Sequence, residues 1–296
     1  MIIVDFSNIL YAAIYAHSKG NPVADGNLIR HICLNSLRHI KASHGEEFGK
    51  MVICLDSGNT WRRDYFPEYK AKRRIAREES PDAETDAMYS IIHQIQDELK
   101  AFGPYPCMQV AKCEADDIIA VLSFMGEFNE TYNDKKVLIV SNDKDFFQLH
   151  AMRTVFQYIP RDKKVFKHDD PGEYLINHIA QGDSGDGIPN VLSDGDCFIT
   201  EGKRQTPLTK SKRARVLLNP DSLGTGVKKN WDRNQKLIDL TKIPEQLATD
   251  IVQEFIKISD LVYGRTTSRG MDFYTYLMQN DMKLLAEDIE DFMRGE

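Results

Sequence analysis

No stretch of this 296-residue chain is apolar for long enough to cross a bilayer. Its opening residues, "MIIVDFSNIL", lack the charged region and small-residue cleavage site of a secretory signal, so a cytosolic protein is expected. Cysteine is scarce and odd in number. Cys33, Cys54, Cys107, Cys113 and Cys197 contain no CxxC pair, which argues against a disulfide framework and a zinc site. GxSxG, the P-loop and HExxH are also missing, so the motif-borne nucleophiles and nucleotide cradles are not in play. The eight histidines are scattered and read as surface or packing residues. There is no internal repeat and no low-complexity tract.

An excess of positive charge is missing too: the formal net charge is −7. That average conceals a separation of signs. Residues 61–77, "WRRDYFPEYKAKRRIAR", carry a net +5, and residues 202–215, "GKRQTPLTKSKRAR", a net +6, which leaves −18 on the remainder. One part of the molecule gathers negative charge and another seeks it.

What is present is a series of short apolar runs ending in an acid. "MIIVD" reaches Asp5, "KMVICLD" reaches Asp56, and "KKVLIVSNDKD" reaches Asp143 and Asp145. Runs this short and rich in Val and Ile read as buried strands of a parallel sheet. Helix-period segments at 28–42 and 86–101 lie between them, giving an α/β fold with a mostly parallel sheet and helices on both faces. Two further short strands are expected within 154–166, joined by a Pro-Arg-Asp turn. We expect a boundary near Pro171, with an α/β domain over 1–171 and a mostly helical domain over 172–296. Residues 59–82 are too basic for a core and are expected to pass over the strand ends.

Ligands of such sheets sit beyond the carboxyl ends of the strands. Asp5, Asp56, Asp143 and Asp145 should therefore meet one another, together with Glu114, Asp116 and Asp117 from "KCEADDIIAVL". At about 4 Å and an effective dielectric near 20, each like-charged pair costs roughly 4 kcal/mol. Either the carboxyls take up protons or cations sit among them. Hard oxygen ligands favour Mg²⁺ or Mn²⁺, and a pair of such ions about 3.5–4 Å apart can drive in-line displacement at a phosphodiester. The competing reading is a plain helix start with acids at the positive end of the macrodipole.

"VDFSN", "CLDS", "EADDIIA", "SNDKDFFQL" and "GDSGDGIPNV" occur in the order and approximate spacing of the flap-endonuclease, or 5′-nuclease, family, and the chain resembles that family over nearly its whole length. The resemblance implies a PIN-like nuclease domain with a helix-three-turn-helix element in the helical domain. It implies a Mg²⁺-dependent 5′→3′ exonuclease and flap endonuclease, with two ions and Mn²⁺ able to substitute, that removes RNA primers and adjacent DNA in lagging-strand synthesis. The tighter metal site would use Asp5, Asp56, Glu114, Asp116 and Asp143, and the second Asp117, Asp145, Asp183 and Asp186. Lys70 and Arg62 match cations directed from a helical arch at the scissile phosphate, with Arg73 a further arch cation.

Arg63, Tyr69, Lys72 and Arg74 join the expected nucleic-acid surface, and Tyr65, Phe66 and Tyr69 offer faces for unpaired bases. The family pattern is broken at Gly187, where Asn is usual, and at Ser193–Asp196, where a glycine turn should cradle a phosphate with a monovalent cation. Lys203, Arg204, Lys210, Lys212, Arg213 and Arg215 are expected to grip the duplex instead. Implied partners are branched or nicked duplex DNA, RNA–DNA hybrid, a single-stranded-DNA-binding protein and a sliding clamp, with the chain a monomer. The alternatives are a PIN-type ribonuclease and a non-catalytic branched-DNA-binding protein with structural metal. A haloacid-dehalogenase-type phosphatase needs a second Asp where "VDFSN" has Ser7.

Overall fold

The computed structural model describes residues 1–17, 25–79, 83–128, 136–219, 224–264 and 266–295. Its sheet consists of β1 (Ile2–Asp5), β2 (Met51–Cys54), β3 (Cys107–Met108), β4 (Val137–Val140), β5 (Val155–Ile159) and β6 (Lys164–Phe166). The order is β3-β2-β1-β4-β5-β6, parallel except for the antiparallel edge strand β6. Every residue of β1, β2 and β4 is buried. Burial on both faces is why these strands read as unbroken apolar runs.

The helices before β6 are α1 (Phe6–His17), α2 (Gly26–Phe48), α3 (Trp61–Tyr65), α4 (Ala71–Glu79), α5 (Ala83–Phe102) and α6 (Ala115–Phe128). After it come α7 (Pro171–Gln181), α8 (Lys210–Leu218), α9 (Thr225–Ile238), α10 (Glu245–Tyr263), α11 (Thr266–Gln279), α12 (Lys283–Glu287) and α13 (Ile289–Phe292). Caps match the sequence: Asp25 accepts from the Asn27 and Leu28 amides at the start of α2, and Asp170 accepts from Glu173 N ahead of Pro171.

Alternation along the strands sends Ile2 and Val4 into one core with Leu34, Leu37 and Leu99, and Ile3 into another with Ile118, Ile119 and Leu122. Helices from the C-terminal part join both. Phe273, Leu277 and Phe292 lie in the first core, and Ile251 and Phe255 from the amphipathic α10 in the second. Helices α7 to α9 build smaller clusters around Ile179, Leu237 and Val216. Pro171 therefore does not divide the molecule into two cores, because α10 to α13 return to cover the sheet.

The basic segment also departs from expectation. It forms α3 and α4, and Trp61, Arg62, Phe66 and Tyr69 are buried. Its cations need only one face exposed, so aromatic side chains anchor the other. Residues 80–82, the end of the expected arch, lie outside the described residues.

Sheet order places the site. The chain passes from β1 to β2 and β3 on one side, then to β4 and β5 on the other, so the direction reverses at β1. Asp5 pairs in register with Cys54, and Val4 with Val140. Asp56 and Asp143, just beyond β2 and β4, thus flank Asp5 at the switch point where ligands of such sheets bind.

Candidate functional site

Asp5, Asp56, Asp116 and Asp143 line one cavity of about 410 Å³, with Lys70 and Arg73 on its wall. Short hydrogen bonds fix the acids. Asp5 Oδ2 accepts from Ser141 Oγ at 2.8 Å, and Asp56 accepts from Ser7 Oγ at 2.6 Å and from Ala115 N at 2.8 Å. This last bond ties the start of α6 to the end of β2. Asp143 Oδ1 accepts from Asp145 N at 2.9 Å, while its own amide donates to Ser141 Oγ at 3.0 Å.

A second cluster adjoins the first. Asp116, Asp145, Asp183 and Asp186 border a small polar space of about 20 Å³, large enough for a water or an ion. Asp183 Oδ1 accepts from the Gly185 and Asp186 amides at 2.7 and 3.2 Å. Gly187 has φ +75°, a left-handed conformation that Gly adopts freely, and a Cβ there would stand 3.0 Å from the Glu68 carbonyl oxygen.

The electrostatics follow from crowding. Burial first, then Asp56, pushes the Asp5 carboxyl up to about 7. Burial with Asp143 and Asp5 holds Asp116 well above the carboxylate range. Burial and Asp143 push Asp145 up to about 7 against the opposing pull of His178. Glu114 goes the other way: burial would raise it, but Lys70 and Arg62 outweigh burial and hold it low. Among the described residues no ion pair reaches Asp5, Asp56, Asp116 or Asp143, whereas Glu114 is paired with Lys70 and Arg62.

Glu114, Asp117 and Arg62 do not line the larger cavity, although Arg62 borders the small polar space. Asp117 is fully buried, with Arg62 Nη2 2.8 Å from Oδ1. Its Oδ2 accepts from Arg62 Nη1 at 3.0 Å, Trp61 Nε1 at 3.2 Å and Glu114 N at 3.0 Å. It caps α6 and balances Arg62 rather than facing the cavity. Arg62, 4% exposed, also donates to Glu114 at 3.0 Å and to the Leu237 carbonyl at 2.9 Å. Its planar fork is spent on joining α3, α6 and α9, so it is a structural cation beneath the site. Phe66 and Tyr69 are likewise unavailable for stacking; Tyr69 donates toward Glu114 and Asp186 at 3.0 and 2.9 Å. Tyr65 is exposed.

Lys70 bridges the clusters. Its ammonium lies 2.7 Å from Glu114 and 3.5 Å from Asp186, and its amide donates to the Asp186 carbonyl at 2.8 Å. Arg73 reaches Asp186 at 3.3 Å. Lys72 is exposed, and Arg63 and Arg74 are half-buried. In the second basic segment Arg204, Lys210, Lys212 and Arg215 are exposed and Arg213 is half-buried. Lys203 is different: it sits 2.8 Å from Asp196 and 3.6 Å from Asp194, so the acidic turn neutralises it.

Some neighbours of the site had no sequence signal. Tyr11 and Tyr15 line the cavity from α1, at helical spacing that by itself reads as packing. Gln157, fully buried, donates to the carbonyls of Ser141 and Asp143 at 2.8 and 2.7 Å and so pins the loop after β4. His178, expected to be a surface or packing residue, faces Asp145 and Asp183 from the last turn of α7.

Comparison with known proteins agrees with this geometry. Residues 1–173 match the 5′-3′ exonuclease N-terminal resolvase-like domain. The chain is 31% identical to ribonuclease H of Enterobacteria phage T4, covering 98% of this chain and 95% of that protein. Among solved structures it resembles a bacteriophage T5 protein co-crystallised with metal ions, with TM-score 0.61, 17% identity and coverage of 87% and 98% of the two chains. A bacteriophage T5 flap endonuclease in complex with DNA and metal ions superposes with TM-score 0.59, at 16% identity and coverage of 88% and 98%. With its acids gathered at the switch point of a mostly parallel sheet, the chain belongs to the 5′-3′ exonuclease family of nucleases.

Proposed function

We propose that the chain is a Mg²⁺-dependent 5′→3′ exonuclease and flap endonuclease that removes RNA primers and adjacent DNA during lagging-strand replication. The observation that carries this reading is the convergence of Asp5, Asp56, Asp116 and Asp143 on one cavity, with Asp145, Asp183 and Asp186 next to it. The donor set fits divalent cations: it is rich in hard oxygens, and two of its carboxyls are raised to about 7 by burial and then by neighbouring carboxylates. Asp5, Asp56, Asp116 and Asp143, with Glu114 behind them, would hold one ion, and Asp145, Asp183 and Asp186 would serve a second. Bound there, such ions activate water and stabilise the charge of an in-line displacement.

The chain's own groups supply the rest. Lys70 and Arg73, on the wall of the cavity, face an incoming phosphate and oppose charge gained in the transition state. Arg62 holds that wall in place. Tyr11 and Tyr15 present aromatic rings at the cavity for a terminal base. Arg204, Lys210, Lys212, Arg213 and Arg215 would grip duplex phosphates, and Lys72 and Arg74 the strand crossing α4.

The deciding experiment is cleavage of an end-labelled 5′-flap DNA and an RNA-primed duplex, with Mg²⁺ or EDTA, by wild type and Asp143→Asn. Metal-dependent short products, lost in the variant, are expected. Tight binding without product in either protein would transfer the reading to a branched-DNA-binding protein with structural metal.

A further inference from the structure

One side chain at the second cluster is not an oxygen donor. His178 stands between two carboxylates, with Nδ1 3.5 Å from Asp145 Oδ1 and Nε2 3.7 Å from Asp183 Oδ2. Both spacings exceed those of good hydrogen bonds, and Nδ1 is buried without a hydrogen-bond partner. One donor atom from each of Asp145, His178 and Asp183 lies within 4.8 Å of the others. Neighbouring ligands of an octahedral ion with bonds of about 2.1 Å stand roughly 3 Å apart, so a small inward movement would bring His178 Nδ1 and Asp145 to a shared cation.

The ring is also held in place. His178 lies in the last turn of α7, and its carbonyl accepts from Gly182 N at 2.8 Å. The Tyr174 ring packs edge-on one turn earlier, 5.7 Å between centroids. Gly182, at φ +68°, lets the chain double back so that Asp183 meets the ring; a Cβ there would strike the backbone of Ile188 and Pro189.

We propose that His178 ligates the second metal ion through Nδ1, alongside Asp145, while Nε2–H turned toward Asp183 fixes the tautomer. That division of labour between the two ring nitrogens is usual for ligating histidines. A nitrogen donor changes which ion the site prefers. Carboxylate-only sites suit Mg²⁺, whereas an imidazole nitrogen adds affinity for divalent transition metals over Mg²⁺, least for Mn²⁺ and more for Co²⁺. The second site of this chain is therefore biased toward Mn²⁺ or Co²⁺ relative to the all-oxygen first site.

This inference rests on the metal-dependent nuclease reading, and its test separates the two. Mn²⁺ is titrated into the full chain and examined by electron spin-echo envelope modulation, using wild type, wild type labelled with ¹⁵N-histidine, and His178→Asn. A ¹⁴N modulation that shifts on labelling and vanishes in His178→Asn is expected. Alongside it, calorimetry should show the Mn²⁺-over-Mg²⁺ preference of the weaker site falling about tenfold in the variant. The labelled wild type reports nitrogen ligation even if the variant is poorly folded. Bound Mn²⁺ with no nitrogen modulation, in an enzyme that still cleaves flaps, overturns the ligand assignment and leaves the nuclease intact. Absence of both Mn²⁺ binding and cleavage overturns both.

Discussion

The two basic segments carry nearly the same net charge and put it to different uses. In the segment at 61–77 the two cations nearest the acids are drawn inward: Arg62 is buried against Asp117 and Glu114, and Lys70 bridges Glu114 and Asp186, while Lys72, Arg73 and Arg77 stay exposed. In the segment at 202–215 most cations face solvent, and among the described residues only Lys203 is matched, by Asp194 and Asp196. Charge alone thus does not define a nucleic-acid surface; desolvation decides which cations hold the fold and which remain for a phosphate.

The largest effect expected from this contrast is at Arg62. Arg62→Ala leaves Asp117 buried without a counter-charge and should cost about 3–5 kcal/mol in urea unfolding. Unchanged stability would mean the first segment is a solvated surface after all. Lys70→Ala comes next, with single-turnover cleavage of a 5′ flap falling about 10²-fold, roughly 2.7 kcal/mol of barrier, while substrate binding changes little.

Acids left without cations give a pH signature. Asp5 and Asp145 are raised to about 7 from the ordinary 3.8, so between those values the folded state binds more protons than the unfolded. Metal-free stability should therefore fall as pH rises through that window. His178, which burial would lower but which Asp183 and Asp145 raise, acts in the same direction. Glu114 is depressed, so its stabilising contribution is lost only under more acidic conditions. Thermal melts in EDTA from pH 4.5 to 8 should show the decline, and Asp5→Asn should flatten it.

The smallest effects belong to the second segment. Replacing Lys210, Lys212 and Arg215 with Gln should reduce the salt slope of duplex binding by up to about 0.9 for each phosphate that these cations neutralise. Lys203→Ala should leave that slope unchanged and shift stability by less than about 1 kcal/mol. A Lys203 effect equal to that of the α8 cations would break the distinction between matched and free charge.

The strands and their terminal acids were legible because burial on both faces leaves an unmistakable apolar run, and the switch point turns three such ends into one edge. The inner side of the basic segment was not. Cation density suggests solvent, and only the spacing of Trp61, Phe66 and Tyr69 hinted at a buried side. Asp117 did carry a signal: an acid three residues after Glu114 at a helix start is the N3 position of a capping box. Nothing marked His178, because its approach to Asp145 joins residues from separate elements. The C-terminal helices were foreseen as helices, but where they pack depends on long-range contacts that periodicity does not report.

The bond from Arg62 to the Leu237 carbonyl also sets a schedule. On a ribosome, a chain that has emerged only to about residue 200 already possesses every carboxylate of both clusters. It still lacks the acceptor that seats Arg62 and the Leu240 amide that donates to Gln148 at 2.8 Å. Because domains form as their sequence emerges, the carboxylates precede the wall that must stand over them. The wall is therefore completed only once α9, which ends four-fifths of the way along the chain, has itself emerged.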